Sequence, residues 1–368
     1  MTRPTNAILD ISALQNNLQQ VKNNTPQQKI MAVVKANAYG HGAARVANAI
    51  ATDVDAFAVC CLEEALQLRD INITQAIVIL EGFFHPDELP IIVKQDLQVV
   101  ISTATQFKQL IKAKLKKPIS IWIKVDTGMH RLGFSPKDTE SIYELAQQNI
   151  NIADPIRLMS HLACADDLNS DATGQQTKIF SKLVEDLKIT EASLANSAGI
   201  LGWPETYFDW VRPGIMLYGA SPFLDSVAED NDLQSVMQLQ SQLISVRRCY
   251  KGDAIGYGGT WVCPQTMPVG VIAIGYADGY PRHAPIGTPV LVNGKRVPLI
   301  GRVSMDMITV DLRNQPNARV GDPVLLWGKD LPAEEIASLS GTIAYELFCN
   351  LGGRVKKESF RKLSFIDS

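Results

Sequence analysis

The sequence has little that would recruit a metal ion or a nucleic acid. Its six cysteines are scattered without metal-ligand spacing, a pattern that predicts no metal site and fits a reducing compartment. The net charge is −3 and no cluster of lysine and arginine stands out. Nucleic acids and anionic membrane surfaces are therefore not expected as partners.

Long apolar runs are also missing. No stretch approaches the ~18 apolar residues of a transmembrane span, and the first ten residues, MTRPTNAILD, contain no apolar stretch of signal-peptide length. We therefore expect a cytoplasmic protein without membrane contact. With 368 residues the chain is long for one core, so one larger and one smaller domain are expected.

The segment 29–42, KIMAVVKANAYGHG, is the most informative stretch of the sequence. The apolar run Ile30 to Val34 predicts a buried strand that ends at Lys35, and a turn then leads into a helix. Lys35 has two interpretations. Its stem could be packed at a strand end with the ammonium in water, or burial could lower its pKa and make it a nucleophile or base.

Apolar segments of strand length then alternate with segments of helical length and period as far as about residue 218. Eight strands separated by helices favour parallel pairing, and their number and spacing match a (β/α)₈ barrel. A doubly wound open sheet is the alternative, although it would normally use fewer strands. The predicted strands are Lys29–Lys35, Ala56–Cys61, Ala76–Gly82, Leu97–Ser102, Ile119–Asp126, Ile156–Ala163, Ala192–Ser197 and Val211–Tyr218.

From about Gln240 strand-like segments follow one another without helices, which predicts a smaller, mainly antiparallel β domain. The dipeptide Asn293-Gly294 between two of them is a strong hairpin signal. The polar stretch Asp225–Asp232 is the best linker candidate. We therefore predict a barrel domain over residues 1–232 and a β domain over 233–368. The first strand, in residues 1–11, could pack on the β domain.

Polar residues collect where the barrel strands end, which is where such barrels have their active sites. Lys35 follows the first strand, and the last two strands lead to Ser197 and Gly214, near the usual phosphate position of these barrels. A lysine opposite a phosphate-binding site suggests pyridoxal phosphate, bound as a Schiff base. A lysine-dependent aldolase is the alternative, but its lysine usually lies on a later strand.

Seven segments together resemble the motifs of alanine racemases, in the order that the family has them. The resemblance covers nearly the whole chain, including the change of domain. It implies a pyridoxal phosphate-dependent enzyme that interconverts L-alanine and D-alanine. The segments are KIMAVVKANAYGHG, KVDTGMHRLGF, SHLACAD, NSAG, RPGIMLYG, GYGGTW and GRVSMDM.

The resemblance implies two proton-transferring residues, one for each face of the substrate. Lys35 would hold the cofactor and act on D-alanine, while Tyr257 would act on L-alanine. A hydrogen-bonded chain from Tyr257 through His161 to Arg212 would favour the phenolate, and Arg212 would face the pyridine nitrogen. Without the family, Tyr257 would be interpreted as a packed aromatic and His161 as a core histidine.

Further roles follow from the resemblance alone. Arg131 would contact the substrate carboxylate and the ring oxygen of the cofactor. Lys124 would orient Arg131 as a carbamate, or else form a plain salt bridge with Asp126. The remaining positions are phosphate and cofactor contacts (Tyr39, Asn196, Ser197, Gly214, Ile215, Tyr345), the substrate-binding main chain of Met305 with Asp306 beside it, and entrance residues (Asp166, Tyr276, Arg282, Arg302).

The resemblance also implies a head-to-tail homodimer, in which Tyr257 reaches the cofactor of the neighbouring subunit. Three other functions stay open: a serine or broader racemase, a pyridoxal phosphate decarboxylase of the same architecture, and a cofactor-carrying protein without catalysis. The presence of a β domain argues against the last. The sequence also leaves open whether D-alanine is made for peptidoglycan or degraded.

Overall fold

The computed structural model describes residues 3–360. Its strands are β1 (Asn6–Asp10), β2 (Lys29–Val33), β3 (Ala56–Val59), β4 (Ala76–Ile79), β5 (Gln98–Ile101), β6 (Ile119–Lys124), β7 (Ile152–Met159), β8 (Ala192–Ser193), β9 (Trp210–Val211), β10 (Met237–Cys249), β11 (Ala254–Ile255), β12 (Trp261–Val262), β13 (Met267–Ile272), β14 (Pro289–Val292), β15 (Lys295–Ile300), β16 (Ile308–Asp311), β17 (Pro323–Trp327) and β18 (Lys356–Phe360). Its helices are α1 (Ile11–Asn24), α2 (Lys35–Tyr39), α3 (Ala43–Ile50), α4 (Leu62–Asp70), α5 (Leu89–Lys94), α6 (Ala104–Lys112), α7 (Pro136–Gln147), α8 (Ala172–Asp186), α9 (Ser197–Gly202), α10 (Ala333–Leu339) and α11 (Ala344–Cys349).

Strands β2 to β9 form a closed parallel barrel, and β2 pairs with both β3 and β9. The strands read as apolar runs because both of their faces are covered: β3 is buried along its whole length, and Trp122 of β6 is fully buried. The predicted (β/α)₈ barrel is confirmed, and the open sheet is wrong.

All eight barrel strands end earlier than the apolar runs predicted, and three of them illustrate the difference. Strand β2 stops at Val33, so Lys35 begins the next element instead of ending the strand. Strands β8 and β9 have two residues each, and a helix or a 3₁₀ turn replaces the rest of each run. The apolar runs continue because the turns at this rim are buried as well, so hydrophobicity alone does not mark where pairing ends.

The chain before the barrel belongs to the β sheet. Strand β1 pairs antiparallel with β10 and parallel with β18. Helix α1 then begins at Ile11, where the Asp10 carboxylate accepts hydrogen bonds from the N–H groups of Ser12 and Ala13. An aspartate at the end of β1 therefore caps this helix.

The β domain contains an eight-stranded sheet in the order β13-β16-β15-β14-β17-β10-β1-β18. The predicted hairpin at Asn293-Gly294 is confirmed: Val292 pairs with Lys295, and both turn residues have positive φ. The apolar segment 297–312 is divided into β15 and β16 by a loop. Val303 in that loop is buried, so the apolar pattern continues although the pairing stops.

The connection between barrel and sheet is ordered. The predicted linker contains a 3₁₀ turn, Ala228–Asn231. Asn17 of α1 binds both sides of it, because its side chain donates to the carbonyls of Leu217 and Gln234 and accepts from the Gln234 N–H. Residues 1–2 and 361–368 of the two predicted domains lie outside the described residues.

Across residues 3–360, no helix has both the length and the apolar character needed to cross a membrane.

Candidate active site

A cavity of about 510 Å³ opens where the barrel strands end. Every strand of the barrel from β2 to β9 either contributes to its wall or is followed by a residue that does. The lining residues are Val33, Lys35, Ala36, Tyr39, Cys60, Leu80, Glu81, Ser102, Lys124, Val125, Asp126, Met129, Arg131, Leu132, Met159, His161, Asn196, Ser197, Arg212, Gly214, Ile215, Tyr345 and Cys349.

Lys35 stands at the start of an unusual turn. The four residues after it, Ala36 to Tyr39, have φ values of 52°, 54°, 55° and 50°, which is the left-handed region that residues with a Cβ rarely adopt. One carboxylate supports the turn: Glu64 accepts from the N–H of Ala36 at 2.7 Å and from that of Cys60 at 2.8 Å. Surrounding contacts therefore impose the conformation that fixes the Lys35 backbone.

One end of the cavity is rich in hydrogen-bond donors. Ser197 Oγ accepts from the N–H groups of Gly214 and Met216, which leaves its own hydrogen free to donate outwards. Within residues 3–360, neither the Tyr39 hydroxyl nor the Ile215 N–H has a hydrogen-bond acceptor. A Cβ on Gly214 would lie 2.6 Å from the Tyr39 oxygen, so only glycine permits this close approach.

Four cations surround the middle of the cavity: Lys35, Lys124, Arg131 and Arg212. Burial, with the charges of the other three, holds the pKa of Lys124 well below its ordinary value. The described residues contain no salt bridge between Lys124 and Asp126, since Asp126 instead pairs with His130 at 3.3 Å. The cluster therefore favours a neutral Lys124 amine or a bound anion.

Arg212 is buried and anchored by several acceptors. Its Nη2 donates to the Ser160 carbonyl at 2.6 Å and to that of Leu194 at 3.1 Å, and it contacts His161 Nδ1 at 3.4 Å. Burial lowers the pKa of Arg212 to about 10, so the guanidinium stays charged at neutral pH. In the described chain its Nε–H has no acceptor, which leaves one donor available to the cavity.

The protonation of His161 follows from its surroundings. Burial and the charges of Lys124, Arg212 and Arg131 hold its pKa well below the ordinary value, so the ring is neutral. Because Arg212 can only donate, Nδ1 of His161 must accept, and the ring hydrogen lies on Nε2. His161 therefore offers a donor on the side away from Arg212.

Tyr345 reaches the cavity from helix α11, which packs against the Lys35 turn. Its ring lies 5.9 Å from the ring of Tyr39. Burial, with the nearby charge of Asp166, raises the pKa of Tyr345 above the ordinary value, so its hydroxyl is protonated at neutral pH. Asp166 is thus close to the cavity but does not line it.

Other predicted site residues lie on the β domain, away from this cavity. Tyr257, in a 3₁₀ turn over Tyr257–Gly259, is 69% exposed, and Met305 is 52% exposed. Arg302 lies beside the Tyr257 turn, with its guanidinium 3.4 Å from the position of a Cβ on Gly258. Asp306 follows Met305 and pairs with Arg354 at 2.7 Å. The glycine-rich turn that carries Tyr257 separates β11 from β12.

Tyr276 and Arg282 line a second, smaller cavity of about 250 Å³, between the β domain and helix α11. His283, Thr342 and Glu346 also contribute to its wall. In the described part of the chain, no group of three or more histidine, cysteine or acidic side chains could hold a metal ion.

Two family models match this chain. The alanine racemase N-terminal domain matches residues 9–222, and the alanine racemase C-terminal domain matches residues 236–359. The alanine racemase of Vibrio parahaemolyticus is 50% identical over 352 residues, which are 96% of this chain and 98% of that protein.

The chain belongs to the alanine racemase family.

Relatives of both physiological types are similar to it. The catabolic alanine racemase of Pseudomonas putida is 50% identical over 95% of this chain and 97% of that protein. The crystal structure of the biosynthetic alanine racemase from Pseudomonas aeruginosa superposes with a TM-score of 0.95 at 44% identity, covering 98% of this chain and 100% of that one. The resemblance seen in the sequence is confirmed, and none of these findings favours a decarboxylase or a non-catalytic carrier.

The residues that the alanine racemase resemblance singled out divide into two groups. Ten of them line the barrel cavity together: Lys35, Tyr39, Lys124, Arg131, His161, Asn196, Ser197, Arg212, Gly214 and Ile215, with Tyr345 joining them from α11. The residues of the second group do not line that cavity within a single chain. They are Asp166, Tyr257, Tyr276, Arg282, Arg302, Met305 and Asp306.

The sequence did not point to several of the residues that line this alanine racemase cavity. Cys60, which falls in the predicted strand Ala56–Cys61, is half-buried and lines the cavity, where burial beside Glu81 raises its pKa to about 12. Glu81, Met129 and Cys349 were not singled out at all. The positions directly after β3 and β4 were the available signal, since every barrel strand ends at this rim.

Proposed function

We propose that this chain interconverts L-alanine and D-alanine with pyridoxal phosphate held in the barrel cavity. One observation supports the proposal above all: a lysine, a buried arginine and a set of phosphate-type donors share one cavity in a chain of the alanine racemase family. When bound, pyridoxal phosphate withdraws electrons from the substrate Cα and so makes its hydrogen acidic.

The residues of the cavity fit this cofactor. The hydroxyls of Tyr39 and Ser197 and the Ile215 N–H would bind the phosphate, because each has a hydrogen free to donate. Gly214 leaves room for that anion beside Tyr39. The Arg212 Nε–H would donate to the pyridine nitrogen, and Lys35 would hold the cofactor covalently.

Racemisation requires a proton to leave one face of Cα and another to arrive on the opposite face. The Lys35 amine would take or give the proton on the face of D-alanine, and the Tyr257 hydroxyl would do so on the face of L-alanine. His161, neutral and with its hydrogen on Nε2, can donate to the Tyr257 oxygen. That hydrogen bond would favour the phenolate, the form in which Tyr257 is a base.

We further propose that the active form is a head-to-tail homodimer. Tyr257 and Met305 are exposed on the β domain, although the proposed reaction needs both of them at a barrel cavity. A second copy of the chain would bring its β domain over the cavity, and the symmetric contact would complete two sites at once. The Met305 main chain would then bind the carboxylate of the substrate, together with Arg131.

Lys124 is proposed to carry a carbamate. Its amine lies among three cations and burial holds its pKa low, so the neutral form that adds carbon dioxide is favoured. The addition releases one proton and converts the side chain into an anion, which would balance and orient Arg131. Isotopically labelled bicarbonate should give a carbamate carbon signal in the protein that Lys124→Gln removes.

The decisive experiment incubates the purified protein and pyridoxal phosphate with L-alanine and follows D-alanine with a D-specific oxidase. In deuterated water, deuterium should enter Cα of both enantiomers. Serine is the comparison substrate: the wild type should prefer alanine, although one extra hydroxyl in a small pocket gives only modest discrimination. Failure to form D-alanine with cofactor present would refute the proposed function.

A further inference from the structure

We propose that Asp278 and Arg354 are positioning residues for the Met305 main chain and set the affinity for the substrate carboxylate. The inference rests on the proposed racemase function, in which Met305 contacts that carboxylate. Neither residue lines either of the two cavities described above.

Asp278 is a buried carboxylate at the centre of a network. Its Oδ2 accepts from the Gly275 N–H and from Arg3 Nη2, both at 2.9 Å, and its Oδ1 accepts from Arg354 Nε at 2.7 Å. The Asp278 side chain has no exposed surface. A buried charge of this kind is stable only when it is paired and hydrogen-bonded, so the two arginines are held where they are.

Both arginines extend from Asp278 to the loop between β15 and β16. Arg354 Nη2 donates to Asp306 Oδ1 at 2.7 Å and contacts the Met305 carbonyl at 3.4 Å. Arg3 Nη2 donates to the Asp306 carbonyl at 2.7 Å. The same two guanidinium groups thus join the buried carboxylate to the residue beside the proposed substrate contact.

Backbone contacts from residues 275–277 also fix the loop between β15 and β16. The Tyr276 N–H donates to the Ser304 carbonyl at 3.1 Å, and the Ala277 N–H donates to the Met305 carbonyl at 3.0 Å. A Cβ on Gly275 would lie 2.3 Å from the Met305 oxygen, so the two backbones are in direct contact. The Met305 N–H, by contrast, finds no acceptor within residues 3–360, and it is the donor left for an anion.

The test is Arg354→Met against Arg313→Met. Arg313 is a close control, because it pairs with Asp311 of the same domain and is 40% exposed, against 39% for Arg354. Losing Arg354 should misplace the Met305 N–H, so KM for L-alanine should rise about tenfold while kcat changes less than about threefold. Arg313→Met should alter neither constant.

Two further measurements separate positioning from loss of stability. The inhibition constant of propanoate, a carboxylate without an amine, should rise in parallel with KM in Arg354→Met. Arg354→Lys should recover part of the affinity, because an ammonium keeps the charge near Asp278 but cannot form the paired contacts of a guanidinium. Arg3→Met provides a second variant of the network if Arg354→Met fails to fold.

Equal KM values for Arg354→Met and Arg313→Met, or a fall in kcat alone, would overturn the inference. A wild-type protein that does not racemise alanine would instead refute the proposed function. These outcomes are distinguished by the wild-type assay that accompanies each variant.

Discussion

The two regions that carry site residues differ in how they are built. The barrel cavity is formed where the barrel strands end, and Arg212 in its wall is buried. The β domain presents Tyr257 and Met305 at an exposed surface. The loop that contains Met305 is nevertheless held by two arginines, which both pair with the buried Asp278 carboxylate.

Exposure and rigidity are therefore separate properties in this molecule. An exposed catalytic side chain on a mobile loop would have to be ordered when a partner docks, at a cost in conformational entropy. The Met305 loop is already held by Arg354, which pairs with Asp278, so docking of the proposed second copy would cost less conformational entropy. In the proposed homodimer, the β domain would accordingly act as a preformed cover for the cavity of the second chain.

The largest expected effect contrasts the two proposed proton-transferring residues. Lys35→Ala and Tyr257→Phe should each reduce racemisation by about 10³-fold or more. Lys35→Ala should also lose the absorbance of bound pyridoxal phosphate, whereas Tyr257→Phe should keep it, because only the barrel residue holds the cofactor. Loss of bound cofactor in Tyr257→Phe would contradict the assignment of the two regions.

Mixing the two inactive variants tests whether the regions belong to different chains. In a mixed dimer one site combines both defects and the other is intact. Random exchange should therefore restore about a quarter of the wild-type activity, since half of the dimers are mixed. Subunit exchange is verified with a tag on one chain. Exchanged dimers without activity would show that each site is formed by one chain.

A smaller effect concerns the tight packing of the cavity. Gly214→Ala places a methyl group 2.6 Å from the Tyr39 hydroxyl, and affinity for pyridoxal phosphate should fall about tenfold as the phosphate donors separate. Gly174→Ala, in helix α8 with no atom within 4 Å of the new methyl, is the control. Fluorescence titration of the apoprotein measures both, and equal affinities would refute the proposed phosphate position.

The smallest effect concerns stability against pH. His41 is buried beneath the Lys35 turn, and burial lowers its pKa to about 4. The unfolded chain therefore binds a proton that the folded chain excludes between about pH 6.5 and 4, and stability falls as the pH falls through this window. His41→Phe should flatten the slope of unfolding free energy by about 1.4 kcal/mol per pH unit.

Denaturant titrations across that pH range measure the slope. His283→Gln, at an exposed histidine of the β domain, is the control for removing an imidazole without changing the interior. If His41→Phe keeps the wild-type slope of unfolding free energy against pH, the buried imidazole of His41 does not cause the loss of stability at low pH.

The sequence predicted the barrel because its strands are buried on both faces and read as continuous apolar runs. It misjudged where Lys35, Ser197 and Gly214 stand, since the buried turns at the rim are as apolar as the strands. The left-handed run Ala36–Tyr39 could not be predicted either. Asn37 alone among those residues adopts the left-handed region readily, and the whole run depends on tertiary contacts such as the Glu64 carboxylate.

The candidate site could be predicted where short motifs carry it, as around Lys35, Arg212 and Tyr257. It was missed where single residues contribute from strand ends without a motif, as Cys60 and Glu81 do. The network at Asp278 was also missed. Its members come from positions 3, 278 and 354, and only folding brings such distant residues together.

The contact at Gly40 has a consequence for attempts to redesign the substrate range. The space where a Cβ would go lies 2.0 Å from the carbonyl oxygen of Phe348, and φ at Gly40 is 76°. The turn after Lys35 and helix α11, which carries Tyr345, are thus in main-chain contact. A residue with a side chain in place of Gly40 does not fit between them. A variant with a larger cavity, for bulkier amino acids, therefore has to come from smaller side chains in the cavity wall. The backbone distance between Gly40 and Phe348 leaves no room for change, either in evolution or in design.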